Sequence, residues 1–168
     1  EEFTFAIKWI PYVALGQTLT SNIANRFFQI GETGYTRLYA CREPGTQKLL
    51  FILPNASFTA LQTCVFTPPA YDPYSEHLVA FIVKGNKTRI HFDDQYQEYE
   101  IVQPGKLVFS KLYIANCYGY GQLNGAFKNL LLCPYAVSPE TVAAWHSLDA
   151  PFFDPREVID AGARPIEM

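Results

Sequence analysis

Apolar positions in this chain recur mostly at every second residue, the spacing of strands rather than helices. Phe3, Phe5, Ile7 and Trp9 alternate with Thr4, Ala6 and Lys8, which predicts a strand with one buried face. Trp9 continues that apolar face and is placed in the core rather than on a sugar platform. Pro11 to Asn25 has mixed polarity and reads as a loop. Arg26 to Gly31, Tyr35 to Cys41 and Lys48 to Leu53 read as strands, the last two joined by the turn Glu43-Pro44-Gly45-Thr46. Phe58 to Phe66 is a further strand region. The run Thr67-Pro68-Pro69-Ala70-Tyr71-Asp72-Pro73-Tyr74 is too rich in proline to sit inside a sheet.

The most legible stretch runs from Glu76 to Thr141. His77 to Lys84 and Thr88 to Asp93 flank Gly85-Asn86-Lys87, residues that tolerate positive φ, so the segment predicts a hairpin. Gln95 to Val102 alternates and is ended by Pro104-Gly105. Lys111 to Asn116 and Gly125 to Leu132 form a second strand pair across a glycine-rich link. Ser138-Pro139-Glu140 then supplies an N-cap, a proline suited to the first helical position and an acid at the positive end of the helix dipole. A short helix over 139–147 follows, with Val142 and Trp145 on one face. Many short strands closed by one helix predict an all-β sandwich. We expect one domain over 1–148. We expect 149–168, with Pro151, Pro155 and Pro165, to be an extended segment packed on it or linking to the next domain.

The totals narrow the function. Tyrosine (11) and phenylalanine (13) far exceed methionine (1), which suits sheets. The net charge is −3 with no lysine/arginine cluster, so we expect no nucleic-acid partner. No apolar run is long enough to span a bilayer, so no membrane insertion is expected. Cys41, Cys64, Cys117 and Cys133 lack Cys-x-x-Cys spacing, which argues against zinc; four cysteines allow three pairings, and buried free thiols are the expectation. No nucleophile elbow, metalloprotease helix or phosphate loop occurs, and His77, His91 and His146 show no ligand spacing.

Binding is the better reading. A sugar offers apolar C–H faces and many hydroxyls, so its site wants exposed aromatic rings beside amides, carboxylates or arginine. Asn116, Tyr118, Tyr120, Gln122 and Asn124 lie in a glycine-rich segment of that composition. Tyr71, Asp72 and Tyr74 form a second candidate, a stiff loop with two tyrosines around a carboxylate. Tyr35 and Arg37, with Tyr39, share one strand face and form a third. The competing reading of these tyrosines is that they cap the open ends of a sandwich.

From His77 onward the order of parts resembles the laminin-G-like members of the concanavalin A-like jelly rolls. Those modules have a histidine-led apolar strand, a turn, a strand ending near Asp-Gly, and a strand ending in a small residue; a glycine-led strand and a Ser-Pro-Glu helix start follow. The matching parts are His77 to Val83, Thr88 to Asp93, Leu112 to Ala115 and Gly125 to Glu140. Asp94 and Ala115 stand where the family often has glycine. An early strand usually precedes the one that Phe3 to Trp9 resembles, and we expect it to be missing here. The resemblance implies a two-sheet antiparallel jelly roll and a structural role for His77. Hydrolases with this sandwich carry Glu-x-Asp-x-Glu on one strand; the nearest match, Glu98-Tyr99-Glu100, has the wrong flanks and reads as a solvated face, so we expect no enzyme. Relatives commonly hold calcium. The available donors here are Asp72, Asp93, Asp94 and Asn124, and with nothing to fix their proximity no cofactor or metal is expected.

The end of the chain, from Ala144 to Pro155, resembles laminin-G-like modules of phage and prophage tail proteins. That implies a module on a virion tail or baseplate, or on an extracellular surface, whose partners are polysaccharide or cell-surface glycan and neighbouring domains or subunits. The alternative is a structural protein-interaction module that binds no glycan.

Overall fold

The computed structural model describes residues 2–12, 25–31, 37–43, 46, 48–102, 104, 111–114, 125–147 and 152. Ten strands form two five-stranded sheets. The first sheet contains β1 (Glu2–Ile10), β6 (His77–Lys84), β7 (Lys87–Phe92), β8 (Gln95–Glu100) and β10 (Ala126–Cys133), in the order β10-β1-β6-β7-β8. The second contains β2 (Asn25–Ile30), β3 (Leu38–Arg42), β4 (Leu49–Pro54), β5 (Leu61–Phe66) and β9 (Leu112–Ile114), in the order β5-β4-β3-β2-β9. All neighbours run antiparallel. The helix α1 spans Pro139–Ser147, as its capping residues predict. The Ser138 hydroxyl accepts from the Thr141 amide at 3.2 Å.

The sheets face each other across an aromatic core. Phe5 and Phe81 from the first sheet meet Phe28 and Phe51 from the second, with Phe5 and Phe28 stacked at 4.0 Å. Pairs of this kind contribute about 0.5–1.5 kcal/mol each beyond the area they bury. The single buried face expected for β1 is corrected by the structure: Ala6 is as buried as Phe5. On the outer face of the first sheet, Ala6, Leu78, Ala80 and Ile82 pack under Val137, Val142 and Trp145, with Phe152 against Trp145 at 5.1 Å. Two buried polar groups fasten this cover. The Thr4 hydroxyl donates to the Tyr135 carbonyl at 2.8 Å and accepts from the Val137 amide at 3.1 Å, and the Arg89 guanidinium donates to the Val137 carbonyl. Cys41, Cys64 and Cys133 are free, buried thiols, and burial pushes Cys41 up to about 12 and Cys64 to about 11; Cys117 lies outside the described residues.

Polar chemistry also closes the hairpins. Gly85 takes φ +62 in the two-residue turn between β6 and β7, and Asp93 takes φ +53 between β7 and β8, a conformation that aspartate tolerates better than most residues. The Asp93 carboxylate accepts from the Leu78 amide and from His77 Nδ1, both at 2.8 Å, and lies 3.5 Å from His146 Nε2 on α1. His77 Nε2 donates to the Asp72 carbonyl at 2.9 Å. With an acceptor on each side, both ring nitrogens must carry protons, so the site favours the imidazolium. Burial pushes the His77 pKa down, but these hydrogen bonds and the Asp93 and Asp72 charges outweigh it and leave the pKa above its ordinary 6.5.

Two outcomes are expected. A raised folded pKa means that His77 contributes stability in full below about pH 6.5, and that this is lost as pH rises through the folded value. Urea midpoints measured from pH 6 to 9 should therefore decline in the native protein, and His77→Gln should remove the part of the decline due to this ring. Gly125 has φ +138, and a Cβ there would stand 2.2 Å from the Ile10 carbonyl oxygen. Gly125→Ala should cost about 1–3 kcal/mol in a chemical melt, since neither the backbone angle nor the space suits a side chain.

Candidate ligand-binding surfaces

Beyond the ends of β1 and β6, the chain builds an aromatic ledge. Pro11 ends the pairing of β1, and its carbonyl accepts from the Tyr74 amide at 2.8 Å. Tyr74 sits at φ +77 in a turn closed by Ser75, whose amide donates to the Asp72 carbonyl at 3.4 Å and whose hydroxyl donates to the Asp72 carboxylate at 2.7 Å. The turn thrusts Tyr74 outward to 70% exposure, beside Tyr12 at 50%. The two rings lie 6.5 Å apart and within 25° of parallel. An open pair of near-parallel rings offers flat apolar surface, and Asp72 places a hydrogen-bond acceptor in the same turn.

The candidates named from the sequence fall in different settings. Asp72 and Tyr74 are exposed, and Tyr74 meets Tyr12 on the ledge. Tyr71 is a half-buried wedge between the ledge and the core: its ring stacks on Phe92 at 5.0 Å and touches His77 and Trp9. Its hydroxyl has no hydrogen-bond partner among the described residues, and burial pushes its pKa up to about 12, against the opposing charge of Arg42. Arg37 serves the second sheet, where its guanidinium lies 5.1 Å from the centre of the Tyr39 ring and that of Arg26 lies 4.4 Å away. Tyr35, Asn116, Tyr118, Tyr120, Gln122 and Asn124 lie outside the described residues. Sequence reading missed Tyr12, because the segment after Pro11 carries no periodic signal; a tyrosine directly after a strand-ending proline was the available clue.

A second surface lies on the outer face of the first sheet. The hairpin of β7 and β8 forms one wall and the start of α1 the other. Between them are two adjoining hollows, of about 440 Å³ and 240 Å³, which share Pro139. Lys84, Lys87, Arg89 and Glu98 line the larger, and His91, Asp93, Asp94, Tyr96 and Glu140 the smaller. His91 is buried, its ring stacked on Tyr96 at 4.8 Å and 22°. Burial and the charge of Arg89 push its pKa down to about 3, so it is neutral at ordinary pH. Glu98 and Glu100 are exposed and both reach Lys87, at 2.7 and 3.5 Å. Among the described residues no group of three histidine, cysteine, aspartate or glutamate side chains could hold a metal ion, and no helix is long and apolar enough to cross a membrane.

No protein-family model matches the chain, and a search of curated proteins finds no match. Solved structures do match. The enzymatically active domain of tailspike protein 2 from bacteriophage CBA120 gives a TM-score of 0.64 at 13% identity, over 92% of this chain and 25% of that one. The receptor binding domain of botulinum neurotoxin D gives 0.62 at 12% identity, over 87% and 37%. The LG1-3 region of the laminin alpha2 chain gives 0.53 at 11% identity, over 81% and 28%. This chain therefore spans between a quarter and somewhat over a third of these longer chains. At such identities the likeness is one of fold: the chain is a two-sheet antiparallel jelly-roll sandwich, an architecture also present in a phage tailspike, a toxin receptor-binding domain and a laminin alpha2 region.

Proposed function

We propose that this chain is a non-catalytic carbohydrate-binding module that recognises a host-surface glycan as part of a phage tail, receptor-binding or adhesion protein. The observation that carries the reading is the exposed Tyr12–Tyr74 pair. Two open rings held beside a carboxylate suit a saccharide, whose C–H faces stack on the rings while its hydroxyls donate to Asp72. Asn116, Tyr118, Tyr120, Gln122 and Asn124 join the same site in this proposal. In support, Gly125, which follows them in the sequence, is held against Ile10, two residues from Tyr12. The neighbours in fold include a tailspike and a receptor-binding domain. The non-catalytic part rests on Glu98 and Glu100, which are solvent-exposed and share one lysine, Lys87, rather than being set apart in an enclosed cleft.

Binding to purified host-surface polysaccharide should fall about tenfold or more in the double variant Tyr12→Ala/Tyr74→Ala, since each exposed ring contributes about 0.5–1.5 kcal/mol of stacking. Its thermal midpoint should stay near that of the parent. Tyr118→Ala/Tyr120→Ala should weaken binding further, and the parent should release no reducing ends from the polysaccharide. Undiminished binding by both double variants would move the site elsewhere, and turnover would make the module an enzyme.

A further inference from the structure

We propose that the groove between the β7–β8 hairpin and α1 is a second binding site, separate from the ledge, that takes a carboxylate-bearing sugar. Two buried polar groups there keep hydrogen-bonding capacity in hand. Arg89 is 8% exposed; its hydrogen bond to the Val137 carbonyl occupies one of five N–H donors, and it feels the charges of Glu98 and Glu140 without a second hydrogen bond among the described residues. His91 is 2% exposed, and its Nε2 is buried without a partner among the described residues. Buried donors and acceptors left unmet are costly, so a ligand that meets them is favoured. Both line open volume of the size of a monosaccharide unit.

The charges select the ligand. The larger hollow sets Lys84, Lys87 and Arg89 against the single carboxylate of Glu98, which Lys87 already engages. The smaller hollow is acidic, with Asp93, Asp94 and Glu140. A polyanion would be attracted at one end and repelled at the other. A sugar acid fits both ends: its carboxylate takes the free Arg89 donors, and its hydroxyls donate to Asp94 and Glu140. Tyr96, half exposed and backed by His91, supplies the ring platform. It pairs with His91 on the ladder as Glu98 pairs with Arg89. The platform and the arginine are therefore two residues apart along the hairpin, roughly 7 Å, about the span of a pyranose with its exocyclic carboxylate.

Glucuronate, glucose and acetate, each titrated to about 10 mM into isotopically labelled protein, distinguish the outcomes by amide shifts. Glucuronate should move amides in 84–98 and 136–143, and glucose and acetate at the same concentrations should move them little. Arg89→Lys, which keeps the charge but not the fork, should weaken glucuronate binding about tenfold. Tyr96→Ala, a surface change that leaves the core intact, should weaken it about fivefold. Tyr74→Ala should leave it unchanged, whatever that variant does to polysaccharide binding at the ledge. An absence of shifts along the groove would overturn the proposal, as would equal responses to glucose or acetate, or loss of the response in Tyr74→Ala but not in Tyr96→Ala.

Discussion

Two strands of this sandwich, β1 and β6, must be hidden from water on both sides, and most of the architecture follows from that requirement. Alternation sends Phe5, Ile7, Val79 and Phe81 into the space between the sheets. The same alternation leaves Ala6, Leu78, Ala80 and Ile82 on the other side, where they need a cover. The chain supplies it from 134–147 and Phe152. Alanine at positions 6 and 80 keeps that surface low, so Trp145 and Val142 can approach it closely. The cover is registered by Thr4 and Arg89, whose polar atoms satisfy backbone groups of Tyr135 and Val137 that burial would otherwise strand. Because the cover begins at the height of β7, the outward side chains of the β7–β8 hairpin become one wall of a groove instead of a solvated edge.

Asp93 couples the two surfaces. On one side it lines the groove. On the other its carboxylate holds His77, and His77 holds the Asp72 carbonyl at the start of the turn that displays Tyr74. The imidazolium sits against the rings of Phe92 and Tyr71, at 5.0 and 4.8 Å, where aromatic faces favour a cation. A charge in a partly apolar setting is tolerable because it is paired, hydrogen-bonded on both nitrogens and stacked. The ledge is thus anchored by a short polar chain rather than by apolar packing alone, which suits a turn that carries a tyrosine at positive φ.

Much of the fold was legible because period-two alternation and turn residues are local signals. The hairpin at Gly85-Asn86 and the helix start at Ser138 fall where those residues put them. The strand expected from Phe58 begins later, at Leu61. Phe58 takes φ +55, and the Asn55 side chain accepts from the amides of Thr59 and Ala60, local bonds that compete with sheet pairing there. Burial of β1 on its second face was not legible, since Thr4 and Lys8 look polar until Tyr135, Val137 and Glu76 are seen to satisfy them. For the ligand surfaces, composition marked Asp72 and Tyr74, but their partner Tyr12 is remote in sequence and only the tertiary turn brings it over. The groove is a wholly long-range product: Arg89 and Ser138 are joined by no motif, and one face of a hairpin that reads as solvated becomes a wall only when α1 packs beside it.

The buried thiols carry a consequence for handling and for biology. Burial pushes the Cys41 and Cys64 thiols up, to about 12 and about 11, so little of either is thiolate at neutral pH, and thiolate is the form that oxidants and disulfides attack. A sandwich held by ring stacking and a carboxylate–imidazolium lock thereby shields these two buried sulfurs from thiol chemistry for as long as it stays folded.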